Sequence, residues 1–442
     1  VIKLTGWLQP GIKIKRWLFV ATIGWLLTLI GGVNIATNFH ENALSAFALV
    51  FIHLSLEASI AGMILGILLM LTSLFFLLKN VILEVTHHEN AMTMATDYFK
   101  KKQLEKGPII VAIGGGTGLS TILSGLKHHS SNLTAIVTVA DDGGSSGRLR
   151  KDLQMLAPGD IRNCIVALAQ KEELLSDLLQ YRFSKGEGLT GHCFGNLLIA
   201  ALTDIRGGFL NAVLSTSEVL AIRGEVLPST CKDVTLFAHM EDGTIVSGES
   251  KISKTKGIIK RVELNPPSPE PPEEVICRIN DAEAILLGPG SLYTSVIPNL
   301  LVEGICEAIN KSSAPVIYIA NIMTQPGETD NFNLDNHIEA LMQTTKLRRL
   351  DYILTNNKDI PDDRIEEYRK LGSNQIGATL NIAGSEKTTL ISAPLLCENG
   401  LIRHSPAATA QKLIEIISSA RAKNLKRKPP SLEQTQPLQP AN

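Results

Sequence analysis

Residues 109–120 read IIVAIGGGTGLS: a run of apolar residues, then Gly114-Gly115-Gly116-Thr117-Gly118, then Leu119 opening a helical stretch. A short continuous apolar run closed by glycine reads as a strand buried on both faces, and the turn behind it as a strand-to-helix junction. Glycines there let backbone N–H groups converge on an anion, and the helix N-terminus adds partial positive charge, so phosphate is the natural guest. The loop is not a Walker A loop, because no Gly-Lys-Ser/Thr follows. It only approximates G-x-G-x-x-G, because Leu119 stands in the last glycine's place.

The same rhythm extends outward. Apolar runs at Ile109–Ile113, Thr134–Ala140, Ala284–Leu287, Val316–Ala320 and Tyr352–Thr355 lead into Gly, Asn or Asp clusters and then helical stretches, which predicts an α/β domain with a parallel sheet and helices on its faces. Val234–Ala238 and Thr244–Ser247 flank an Asp242-Gly243 turn and predict a small antiparallel insertion. Residues 265–272 (NPPSPEPP) carry five prolines and must be a surface connection.

The front of the chain is different. Trp17–Ala36 and Ala58–Leu78 carry no charged residue, and a helix of about 20 apolar residues spans bilayer hydrocarbon. Lys13, Lys15 and Arg16 precede the first run and Lys79 and Lys100–Lys102 follow the second, while residues 38–42 between the runs lack Lys and Arg. The positive-inside rule then puts both ends, and the main domain, in the cytosol of a multi-pass membrane protein. The expected division is 1–83 for this two-helix transmembrane hairpin, 84–106 for a polar, partly helical linker, 107–422 for the nucleotide-binding domain and 423–442 for a disordered Lys-, Pro- and Gln-rich tail.

Lys+Arg 42 against Asp+Glu 43 leaves a net charge of -1, which gives no basis for nucleic-acid binding. The 6 cysteines show no C-x-x-C spacing, so no zinc site or disulfide framework is suggested.

Candidate ligand groups cluster at predicted strand ends. After the Gly114–Gly118 loop comes Asp141-Asp142-Gly143-Gly144-Ser145-Ser146-Gly147-Arg148, where either carboxylate could accept from a ribose hydroxyl or hold Mg2+ against phosphate, with Arg148 and Arg150 neutralising it. Asp160 reads as a helix N-cap, with Arg162 and Asn163 behind it. Gly191-His192-Cys193-Phe194-Gly195-Asn196 opens another apolar helix, so Asn196 is a ligand candidate, Cys193 a packing residue, and His192 open between ligand contact and local bonding. Gly288-Pro289-Gly290-Ser291 repeats the logic of the first loop, followed by Tyr293, which could stack on a base or be buried. Asn321 and Thr324 belong to a further polar strand-end loop.

The motifs IGGGTGLS, TVADDGGSSGRLR, PGDIRN, MEDGTIVSGES, GPGSLYTSVIPNLL and NIMTQPGETD, in this order over about 107–415, resemble the bacterial gluconeogenesis factor family, YvcK-like, of the superfamily that includes CofD, the 2-phospho-L-lactate transferase. The resemblance implies a Rossmann-like fold, binding of a nucleotide-sugar such as UDP-N-acetylglucosamine, and a role in carbon-metabolism adaptation and cell shape. It carries the family's glycine loop to Gly114, Gly115, Gly116 and Gly118, its acidic pair to Asp141 and Asp142, and its sugar-nucleotide tyrosine to Tyr293. The front hairpin and the tail depart from the compact pattern. Three functions compete: a ligand sensor, a CofD-like Mg2+-dependent transferase of a phosphorus-containing group, and an NAD-binding oxidoreductase. The carboxylates suit the first two alike, and no hydride-transfer acid or base supports the third. Protein partners are not legible, and homo-oligomerisation stays open.

Overall fold

The computed structural model describes residues 14–39, 55–85, 91–170, 173–381, 388–398 and 400–427. The chain forms two compact units, Val1–Lys102 and Gln103–Asn442.

The first unit holds α1 (Ile14–Phe39) and α2 (Leu56–Val85), and α3 (Ala91–Glu105) runs across the boundary. Arg16–Ala36 and Leu56–Lys79 are long and apolar enough to cross a membrane, with mean hydropathy 1.9 and 2.5. Small residues let the two helices meet: a Cβ on Gly24 would come 2.8 Å from the Gly66 carbonyl oxygen, and one on Gly31 would come 2.7 Å from that of Ser59. Large apolar side chains such as Phe19, Leu71 and Phe75 point outward. The loop read as the outer connection lies largely outside the described residues.

In the second unit β1 (Ile110–Gly114) feeds α4 (Gly116–Leu126), β2 (Leu133–Val137), α5 (Gly144–Leu153), α6 (Gly159–Leu168), α7 (Glu173–Gln180), α8 (Phe194–Arg206), α9 (Phe209–Val219) and β3 (Glu225–Pro228). The insertion follows as β4 (Thr235–Met240), β5 (Ile245–Ser247), α10 (Glu249–Ile252) and β6 (Ile259–Asn265). Then come α11 (Glu273–Asp281), β7 (Ala284–Leu287), a π-helical turn Leu292–Val296, α12 (Ile297–Leu300), α13 (Ile305–Lys311), β8 (Val316–Ile319), α14 (Leu334–Thr344), β9 (Tyr352–Asn356), α15 (Asp362–Lys370), β10 (Thr389–Ala393) and α16 (Pro406–Arg427).

The main sheet has the order β10-β9-β8-β7-β1-β2-β3, and every pairing in it is parallel. Its central strands β1, β2, β7 and β8 are buried along their whole length, which is why they read as continuous apolar runs rather than alternating ones. The chain winds from β1 to β3 in one direction and from β7 to β10 in the other. Right-handed crossovers then place the two helix sets on opposite faces, as expected of a Rossmann-like sheet.

Several boundaries move from the sequence reading. The first helix starts at Gly116 rather than near Leu119, and β2 stops at Val137 rather than Ala140. The insertion has three strands in the order β5-β4-β6 rather than two. The parallel edge strands β3 and β10 went unread, because neither is an unbroken buried apolar run: β3 opens on Glu225 and closes on Pro228, and most of β10 is not buried. Helix α16 continues to Arg427, into the segment read as tail, and residues 428–442 lie outside the described residues.

Candidate functional site

The direction of winding reverses between β1 and β7, and in open α/β sheets ligands bind outside the carboxyl ends of the strands at such a switch point. A cavity of about 340 Å³ lies there, lined by Gly115, Gly116, Thr117, Gly118, Thr138, Asp141, Asp160, Glu249, Gly290, Ser291, Thr294 and Ser295. A larger recess of about 650 Å³, which includes Ile109, Leu133 and Gly224, sits at the opposite, amino ends of β1 to β3. It presents the already paired Arg278 and Glu225.

Two glycine loops face each other across the cavity. Gly116 adopts φ +62°, a left-handed conformation that a side chain would strain. Gly118 lies so close to the second loop that a Cβ on it would stand 2.5 Å from the Pro289 carbonyl oxygen. The N-cap Gly115 has no side chain to cap α4; Asp160 takes the Gly116 N–H, and the N–H groups that follow are left for other acceptors. The second loop is held by Asn321, whose Oδ1 accepts from Gly290 N–H (3.2 Å) and whose Nδ2 donates to Gly290 O (2.8 Å). Behind it, Asn299 Nδ2 donates to Gly114 O (2.9 Å) and to Ser295 O (2.7 Å), which ties the π-helical turn to the end of β1.

Acidic groups make up the third wall. Asp160 is the second residue of α6 rather than its N-cap, and its carboxyl lies against the Gly115–Gly116 turn. Burial, with repulsion from Asp141, pushes it up to about 7 against the pull of the Gly116 N–H. Glu249, at the start of α10, is pushed up to about 8 by burial and by Asp141, Glu328, Asp160 and Asp142. Glu328 lies behind Thr294: its Oε1 accepts from Thr294 (3.0 Å), Gln325 (2.8 Å) and Ser253 (3.3 Å), while Oε2 has no partner among the described residues. Burial raises it to about 7.

Of the residues expected at a ligand, Gly115, Gly116, Thr117, Gly118, Asp141, Gly290 and Ser291 line the cavity. Gly114 and Gly288 are buried at the strand ends behind it. Asp142 turns away, its Oδ1 accepting from Ser250 N–H (2.8 Å) and its carboxylate packed on Gly248. The two carboxylates of the acidic pair therefore face different surroundings, Asp141 the cavity and Asp142 the start of α10.

Ser145 is an internal hub: its Oγ accepts from Cys193 N–H (3.3 Å) and Asn196 Nδ2 (3.2 Å) and meets His192 Nδ1 (3.1 Å). Asn196 Oδ1 in turn accepts from Arg162 (2.9 Å), which also donates to Asn163 (2.7 Å). Ser146 is buried beside Gly159, Arg148 donates to Thr190 O (3.0 Å), and Arg150 is paired with Asp233 (2.6 Å). Cys193 is buried and donates its thiol to Leu179 O (3.0 Å), a packing role. Tyr293 is only 2% exposed; its hydroxyl donates to Ile259 O (3.3 Å) and its ring packs edge-on against Phe332, which places it in the core. Thr324 is buried, exchanging hydrogen bonds with the Asn374 backbone at 2.7 and 2.8 Å.

The wall residues that the reading missed are Thr138, Asp160, Glu249, Thr294 and Ser295. From sequence Asp160 reads only as a cap, and its place against Gly115 and Gly116 follows from the packing of α6 on α4. Glu249 carried no signal, because only the folding of the insertion brings it to the cavity.

Residues 110–396 match the family described as 2-phospho-L-lactate transferase CofD. The gluconeogenesis factor of Bacillus subtilis is 46% identical over 311 residues, which are 70% of this chain and 98% of that one. A gluconeogenesis-factor relative from Nostoc sp. is 43% identical over 417 residues, 92% of this chain and 91% of that one. A match that long takes in part of the N-terminal unit as well, since the second unit runs only from Gln103 to Asn442. A crystal structure of a UPF0052-family protein from Bacillus halodurans shares the fold at TM-score 0.65 and 46% identity, covering 71% of this chain and 99% of that one. The chain belongs to the CofD family, among its gluconeogenesis-factor members.

Proposed function

We propose that the switch-point cavity binds the diphosphate of a nucleotide-sugar, UDP-N-acetylglucosamine first among them, and that the chain is a ligand-sensing regulator of carbon-metabolism adaptation and cell shape. The observation that carries this reading is the meeting of two glycine loops at the switch point, with the first-turn N–H groups of α4 beyond Gly116 on one side and the Ser295 hydroxyl on the other, the Ser291 and Thr294 hydroxyls being given to Gln325 and Glu328. Such donors match phosphate and sugar oxygens. The carboxyls oppose an anion only when ionised. Asp160 near 7 and Glu249 near 8 are substantially protonated at neutral pH and can then donate to a phosphate oxygen.

The described residues contain no cluster of three or more metal-ligating side chains. Mg2+ typically takes one or two carboxylates and completes its shell with phosphate oxygens and water, and Asp141 with Asp160, both on the cavity wall, fits that pattern. When bound, the ion would neutralise the phosphates against the acidic wall. The transferase is the second reading, favoured by the carboxylates on the same wall as the phosphate donors.

The hairpin adds a location: the start of α1 and the end of α2 in the cytosol, with the second unit tethered to the membrane on that side. Calorimetry on the full chain in detergent tests the ligand reading against UDP-N-acetylglucosamine, NAD and a CofD-type phosphodiester substrate, with Mg2+ or with chelator. Heat from the nucleotide-sugar supports the sensor, and its absence from folded protein refutes it. Product from the phosphodiester substrate replaces sensor by transferase, and heat from NAD alone favours the oxidoreductase. For the location, membrane fractionation of the full chain and of a form lacking residues 1–83 is decisive; equal solubility of the two contradicts the anchor.

A further inference from the structure

The insertion has an outer surface that the cavity does not use. Lys251, Lys254, Lys256 and Lys260 are exposed, and none forms an ion pair among the described residues. Beside them, Ile245 is 58% and Ile258 56% exposed. The register puts these groups at one end of the small sheet: His239 pairs with both Ile245 and Arg261, and Glu241 N–H donates to Ile258 O (2.9 Å). Of the acids nearby, Glu263 is engaged by His239 (2.9 Å) and Arg261 (3.4 Å), Glu249 lines the cavity and Asp330 accepts from Gly327 N–H (2.9 Å), which leaves Glu241 and Asp242 in the β4–β5 turn against four unpaired lysines.

We infer that this end of the insertion docks on an anionic lipid leaflet, its lysines at the headgroups and its two isoleucines in the interface. The inference rests on the membrane reading of α1 and α2, which puts the second unit beside a bilayer. Lysines bury their stems along an interface while the ammonium stays at the headgroups, and basic clusters next to a membrane span are attracted to acidic lipids. Ile245 and Ile258 are aliphatic and offer no stacking platform for bases, which argues against a single-stranded nucleic acid as the occupant. Docking would also touch the site. Glu249 on the cavity wall and the exposed Lys251 belong to the same short helix α10, and Ser250 between them donates its N–H to Asp142.

The test is amine footprinting of the full chain in nanodiscs of phosphatidylcholine alone or with added phosphatidylglycerol, with the exposed Lys311 as internal control. Labelling of the four lysines should fall several-fold in the anionic discs while Lys311 is unchanged, and high salt should restore it. Each lysine is worth roughly fivefold in the docked-to-undocked ratio. The variant K254Q/K256Q should therefore expose Lys251 and Lys260 again, and Ile258→Ser should do so more weakly. Equal labelling in both lipids, with the protein in the discs, overturns the docking surface and leaves the anchor standing. Failure to enter discs removes both. Protection in neutral discs by added heparin, matching that in anionic ones, overturns the lipid in favour of a soluble polyanion.

Discussion

Two strand-end loops that look equally suited to a ligand do different work. The Gly114–Gly118 loop lines a cavity with four of its five residues and gives one N–H, that of Gly116, to Asp160, while the Asp141–Arg148 loop uses most of its polar groups on internal partners. Asp142 holds Ser250, Ser145 gathers Cys193, Asn196 and His192, and Arg148 binds the Thr190 carbonyl. Asp141 alone crosses over to the cavity. The difference is one of supply. Bare glycine offers only backbone donors and cannot satisfy its own neighbours, whereas a hydroxyl, amide or guanidinium near a buried edge is drawn into local hydrogen bonds.

The sharpest way to break the comparison is Gly118→Ala. The new methyl would fall 2.5 Å from the Pro289 carbonyl oxygen and 3.0 Å from Gly290 N, both backbone atoms that cannot swing aside. The two loops must separate, at an overpacking cost of about 1–3 kcal/mol in stability. Nucleotide-sugar binding should fall by on the order of a hundredfold, since aligned donors at the phosphates are lost. Calorimetry at equal folded fraction checks it, and an affinity within a fewfold of the parent would detach the glycine loops from the ligand.

Asp160→Asn comes next. Asp160 and Glu249 have folded values raised above their unfolded ones, so the folded state holds protons that the unfolded state has released. Their contribution to stability is intact below the unfolded carboxyl range and is lost as pH climbs through about 7 and 8. The share of stability carried by these two carboxyls should therefore fall from pH 4 towards pH 8, opposed below about pH 6.5 by the buried His404, and Asp160→Asn should shift the calorimetric melting slope upward relative to the parent. At pH 8 without Mg2+ the variant should bind nucleotide-sugar roughly tenfold tighter, one charge of repulsion being removed. Added Mg2+ should help the parent more than the variant.

These effects also mark what was legible beforehand. The central strands β1, β2, β7 and β8 could be read because burial on both faces leaves a run of apolar residues with no alternation to misinterpret. Both glycine loops could be read because each tight turn demands glycine locally: Gly116 and Gly288 take positive φ, and Gly118 packs on the Pro289 carbonyl. Tyr293 and Thr324 could not be placed, because a strand-end loop has an outward and an inward side and periodicity does not tell them apart. Glu249 lies outside any local pattern: more than a hundred residues separate it from Gly118 in sequence, and only the β4–β6 hairpins carry it to the wall.

Ser145→Ala probes the other loop. It leaves the Cys193 N–H and the Asn196 amide without their buried acceptor, which costs about 1–3 kcal/mol in the melting transition. Nucleotide-sugar affinity should stay within a fewfold, because Ser145 does not reach the cavity. A large affinity loss at unchanged stability would return the serine loop to the ligand.

Arg150→Ala should have the smallest effect and draws the finest distinction. From sequence, Arg150 is as good a phosphate partner as any residue after the acidic pair. In the fold its guanidinium is paired with Asp233 at 2.6 Å and bonded to the Val234 carbonyl, on the side of α5 facing the start of β4. Asp233 is 72% exposed, so the pair is screened and worth at most about 1 kcal/mol. Truncation should lower the melting temperature slightly and leave ligand affinity unchanged within twofold. An arginine on phosphate would instead cost affinity steeply and with strong salt dependence, so calorimetric titrations of parent and Arg150→Ala at two ionic strengths separate the roles. Parallel salt curves keep Arg150 with the insertion, and a flattened curve for the variant would place its charge on the ligand and redraw the boundary between the two loops.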